Sequence, residues 1–154
     1  MVEPGNVIVQ KEAFEKVGSL LYGLLSSGDE RIELTVSSVG PISSPRLRSF
    51  NPNGKFSTPD GPANSVFGPF ELNQAIDDLR AACYREGAGT WFSTKITVTA
   101  GGSANAEYNY DHEPDWGDVP IDSGAYLSDL AAFPRAEDKL PDWLKLKLAE
   151  ARAR

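Results

Sequence analysis

Apolar residues early in the chain recur at Phe14, Val17, Leu20, Leu21, Leu24 and Leu25. That i, i+3, i+4, i+7 spacing lays one greasy stripe along a helix. It predicts a helix over residues 10–26, closed at Ser26-Ser27-Gly28, where glycine accepts the left-handed conformation of a helix end. The period then drops to two. Ile32, Leu34 and Val36 alternate with Arg31, Glu33, Thr35 and Ser37 as far as Gly40-Pro41, the signature of a strand with one buried face.

From 41 to 68 five prolines, with Pro69 just beyond, break any long period. The segment reads as a Pro-rich loop holding one short hairpin, 47–50 with 55–57, around Asn51-Pro52-Asn53-Gly54. A stronger signal follows. Gly68 as cap, Pro69 at the first helical position and Glu71 two residues on precede a stripe of Leu72, Ala75, Ile76, Leu79, Ala82 and Cys83, with Gly87 beyond it. This predicts a helix over 69–86. Trp91–Thr99 and Ala104–Asp111 are rich in aromatic and β-branched residues and flank Ala100-Gly101-Gly102-Ser103, which predicts an antiparallel hairpin with Ala106, Tyr108 and Tyr110 on one face. Ser123 is placed to cap a short helix carrying Tyr126, Leu127 and Leu130, stopped by Pro134. Pro141 opens a last helix packed through Trp143, Leu144 and Leu148. The order predicts one α+β domain over 1–154, an antiparallel sheet packed against N-terminal, central and C-terminal helices, with the helices sandwiching the sheet.

Charge narrows what such a domain can meet. Fifteen Lys and Arg stand against 22 Asp and Glu, a formal net charge of -7, so the overall field repels phosphate backbones and anionic lipid and attracts a basic protein. No nucleic acid and no membrane are expected as partners. No apolar run approaches the roughly 20 residues of a membrane span, and no leader pattern opens the sequence, so a cytoplasmic location is expected. Cys83 is the one cysteine. It removes an internal disulfide and a thiolate zinc cluster from consideration, and its place on a helical stripe makes it a core residue.

Catalytic patterns are missing: there is no phosphate loop, no dinucleotide fingerprint, and the lone His112 lies in an acidic run with no nucleophile beside it. The chain is therefore read as a non-enzyme without a cofactor. The run itself, Asp111 to Asp118, gathers Asp111, His112, Glu113, Asp115 and Asp118. A metal-dependent hydrolase built on Asp111, His112 and Glu113 is one alternative, although Pro114 stiffens the run and the spacing fits no calcium loop. A non-enzymatic oligomeric scaffold using the 41–68 segment is another. The leading reading comes from the aromatics among the acids: Tyr108 and Tyr110 lead in, Trp116 sits inside and Tyr126 follows. Rigid aromatic area with an acidic rim suits recognition of a basic protein, while period two would equally turn both tyrosines into the core.

The second half of the chain also carries a likeness. Trp91-Phe92, Tyr108-Asn-Tyr110-Asp111, Asp115-Trp116, Tyr126-Leu-Ser-Asp-Leu130, Phe133-Pro-Arg135 and Leu140-Pro-Asp-Trp-Leu144 together resemble the YezG-like family of bacterial immunity proteins, over about residues 69–154. The likeness implies a small cytosolic antitoxin that binds the catalytic domain of a cognate secreted toxin and occludes it, the toxin being a nuclease or an NAD-degrading enzyme. The contact set nominated on these grounds is Asp111, Glu113, Asp115, Trp116, Asp118 and Asp122. Phe133-Pro134-Arg135 and Pro141-Trp143 are expected to be architectural.

Overall fold

A computed structural model of the chain describes residues 7–153. Its elements run α1 (Val7–Tyr22), β1 (Arg31–Val39), β2 (Ile42–Phe50), β3 (Phe56–Thr58), β4 (Gly61–Ser65), α2 (Phe70–Ala82), β5 (Ser93–Thr99), β6 (Ala104–Asn109), α3 (Gly124–Ala132) and α4 (Asp142–Arg152), with a 3-10 turn at Glu137–Lys139. The six strands form one antiparallel sheet in the order β3-β4-β2-β1-β5-β6. This is the α+β domain expected, with corrections in the detail.

The alternation in β1 does what its period requires. Ile32, Leu34 and Val36 face α1 and α2 and join Ile96, Val98, Leu47, Val17, Leu21, Leu72, Ile76 and Leu79 in the main core. Each such fully buried aliphatic side chain favours folding by about 1.5–3 kcal/mol. A smaller core forms where α3 and α4 meet the far end of β1, around Val39, Phe92, Tyr126, Leu144 and Leu148. The helices cover the sheet unevenly. α1 and α2 lie on one face; on the other, α3 and α4 reach only the Val39 and Ile42 end, and Arg31, Glu33 and Thr35, with Arg46, Lys95 and Glu107 opposite them or one strand further on, are left uncovered.

Several local expectations fail for identifiable reasons. The first helix ends at Tyr22, not 26, because Gly23 follows; Leu24 and Leu25 still pack on the core, and the left-handed Gly28 (φ 85) serves the turn into β1. Within 41–68, a full strand replaces the loop. Gly40 (φ 57) and Pro41 close a tight hairpin, and β2 pairs with β1 from Ile42 to Phe50. Pro45 is tolerated because β4 pairs with β2 only at Arg48–Phe50, so at Pro45 the far side of β2 has no strand asking for an N–H. The anticipated partner of 47–50 is also wrong: Phe56–Thr58 pairs with β4, which lies between them. At the caps, Pro69 and Pro141 occupy the capping position rather than the first helical one, and Ser123 makes no capping bond, since its backbone is already helical (φ -57, ψ -25). The Asp122 carboxylate accepts from the Gly124 amide instead, at 3.1 Å.

Candidate binding surface

The acidic run leaves β6 as a loop that is pinned through its backbone. Asn109 grips His112 twice, its side-chain oxygen accepting from the His112 amide at 2.8 Å and its side-chain nitrogen donating to the His112 carbonyl at 2.9 Å. Trp143 Nε1 donates to the Asp111 carbonyl at 2.8 Å, and Ser37 Oγ donates to the Asp115 carbonyl at 2.9 Å. Trp116 is half-buried in the smaller core and donates from Nε1 to the Tyr126 hydroxyl at 3.1 Å. Pro114 is buried. With the chain held by main-chain acceptors, Asp111, Glu113, Asp115, Asp118 and Asp122 are left exposed.

Arg135 supplies the deepest anchor. Its guanidinium donates to the carbonyls of Thr90 at 3.1 Å, Lys139 at 3.2 Å and Tyr110, and lies 4.7 Å from the centre of the Phe92 ring. Gly89 is essential to that seat: a Cβ there would stand 2.2 Å from Arg135 Nε. The side chain of Arg135 is 3% exposed, while its carboxylate partner Asp111, at 3.5 Å, is 76% exposed. Burial lowers the Arg135 pKa and Asp111 partly offsets that.

Beside the loop, the open face of the sheet holds a groove of about 480 Å³. Its floor is a row of small polar residues set side by side by the register, Ser44, Ser37, Ser93 and Asn109, and the loop at Asp115-Trp116-Gly117 forms one wall. The serines are too short to fill the space beneath that wall. Arg46, Thr35, Lys95 and Glu107 make the next row. Glu33 accepts from Arg31 Nε at 3.0 Å and sits 3.7 Å from Lys95 Nζ. Four cations, Arg31, Arg46, Arg48 and Lys95, thus face two carboxylates in a chain of net charge -7.

Of the nominated residues, the five carboxylates come together on one loop, and Trp116 serves mainly to shape it, with an edge on the groove. Tyr108 and Tyr110 take the core alternative. Tyr108 stacks on Trp91 with ring centres 6.3 Å apart, and Tyr110 donates its hydroxyl to the Cys83 carbonyl at 2.9 Å. Burial raises both phenol pKa values, that of Tyr110 to about 12. Cys83 is buried among them and its thiol pKa is raised by the same desolvation. Phe133-Pro134-Arg135 and Trp143 are architectural as expected, Trp143 meeting Phe92 and Tyr126 edge-on. Asp111, His112 and Glu113 do not converge: among the described residues no three His, Cys, Asp or Glu side chains form a cluster that could hold a metal ion. No helix among them is long and apolar enough to cross a membrane.

Sequence reasoning missed the groove and the seat of Arg135. The polar phase of β1 and the alternation Arg46-Leu47-Arg48 carried the signal for the first, and nothing local carries the second. Set against known proteins, the sequence matches no family model and no curated protein.

Proposed function

We propose that this chain is a non-enzymatic immunity protein that occludes the basic catalytic domain of a cognate toxin with the carboxylates of loop 111–122. One observation carries the reading: five exposed carboxylates project from a loop whose own fastenings use mainly backbone carbonyls and apolar burial. Of Asp111, Glu113, Asp115 and Asp118, only Asp111 is engaged by a cation among the described residues. Charges fixed in place before contact lose little freedom on binding, and an acidic rim speeds encounter with a cationic groove that would otherwise hold nucleic acid or a phosphorylated substrate. The partner's chemistry is therefore cationic at its active-site mouth, as in a nuclease or an NAD-degrading enzyme.

The test is co-expression with the toxin domain encoded in the neighbouring reading frame. Glu113→Lys combined with Asp118→Lys should slow association and weaken protection, with an unchanged melting temperature because both side chains are exposed. Full protection by that double variant would remove the loop from the contact.

A further inference from the structure

The two edges of the sheet are built differently. β3 is three residues long, flanked by Lys55 and Pro59 and paired with a strand containing Pro62, the usual means of blocking strand addition. β6 is six residues long with no proline, no lysine and an unbroken register against β5. The Thr99 amide donates to the Ser103 carbonyl at 2.9 Å, and antiparallel ladders alternate. Asn105 and Glu107 therefore bond to β5, while Ala104, Ala106 and Tyr108 turn their N–H and C=O outward. Along the same edge, on the helix side, lies an apolar groove of about 370 Å³ between Phe14, Gly18 and Tyr22 of α1 and Val98 and Ala104 of the hairpin.

We infer that β6 pairs antiparallel with β6 of a second copy, continuing the sheet across a two-fold axis at Ala106. The register selects this occupant. With Ala106 opposite itself, Ala104 meets Tyr108 and the outward groups of both strands match, giving about six backbone bonds. On the other face Asn105 lies opposite Glu107, an amide against a carboxylate. Sliding by two residues one way places Glu107 opposite Glu107, and the other way loses a bonded pair, so charge and bonding agree on one alignment. The copy's Tyr108 then stands at the mouth of the apolar groove.

Sedimentation equilibrium of the full chain alone, from micromolar to millimolar concentration, should show a monomer–dimer equilibrium. Asn105 is exposed, so it can be changed without disturbing the fold. Asn105→Glu sets like charges opposite the copy's Glu107 and should weaken the dimer about tenfold, whereas Asn105→Lys should tighten it by a similar factor. Amide exchange at Ala104, Ala106 and Tyr108 should slow as concentration rises. A monomer throughout, with the edge left to a strand from another protein, overturns the inference. A dimer on which the two substitutions act alike or not at all overturns it too. No toxin enters the measurement, so its failure leaves the loop reading untouched, and loss of that reading leaves the dimer untouched.

Discussion

Two arginines are buried at the junction of the main core with the C-terminal helices, and they are neutralised in opposite ways. Arg80 on α2 forms a two-pronged pair with Asp129 on α3, both side chains under a tenth exposed, and the same carboxylate accepts from the Gly40 amide at 2.8 Å. Arg80 also donates from Nε to the Trp91 carbonyl at 2.8 Å. Arg135 has no buried carboxylate; it is satisfied by three carbonyls and one solvent-facing acid. The first clamp is closed on itself and ties α2, α3 and the β1–β2 turn into one body. The second spends backbone acceptors on the fastening, which leaves the acidic side chains of the loop facing outward. A buried cation answered by main-chain oxygens is a way to fix a charged loop without using up its charge.

The contrast is broken most severely at Asp129. Asp129→Ala strands Arg80 as a buried, uncompensated charge and should cost about 3–5 kcal/mol in urea unfolding. Replacing both partners, Arg80→Met with Asp129→Leu, should recover most of that loss, because apolar groups of similar volume need no counter-charge. Arg135→Ala is expected to be milder, about 2 kcal/mol, since the freed carbonyls are nearer to water. Its distinguishing sign is local: amide exchange should rise over 110–116 while the α2 and β1 amides stay protected.

Tyr110 links the two regions, holding the Cys83 carbonyl with its hydroxyl while its own carbonyl accepts from Arg135. Its folded pKa is raised, so the neutral phenol is the form that folding prefers. That contribution is complete below the ordinary tyrosine value of 10 and is lost as pH rises from there to about 12. The melting temperature should fall across this window, and Tyr110→Phe should flatten the fall while lowering the neutral-pH value slightly through the lost hydrogen bond. A slope unchanged in Tyr110→Phe would assign the alkaline transition to other groups, Tyr108 first among them.

How much of this was legible depended on whether the cause was local. The stripes of α1 and α2 and the alternation of β1 were readable because burial against one partner imposes a period on consecutive residues. Pro45 and Pro62 hid β2 and β4, since a proline forbids a strand only where a neighbour needs its N–H, and neighbours are not written locally. Tyr108 and Tyr110 were ambiguous for the same reason: period two says they share a face, not which face is covered. The five loop acids could be nominated from proximity alone. The cations of the open face could not be weighed without the register that aligns Arg46, Thr35 and Lys95, nor Arg135 without knowing that Gly89 leaves room for it.

The fastening of the acidic loop also orders events in time. Translation delivers residues 111–122 before Arg135 and before Trp143, whose indole holds the Asp111 carbonyl from 32 positions downstream. A nascent chain halted between them displays every carboxylate of the loop yet lacks the side chains that set their spacing, and co-translational folding cannot supply them early. The shape of the acidic loop is thus acquired only after α4 emerges from the ribosome, so a fragment truncated before it would carry the charge of the loop without its geometry.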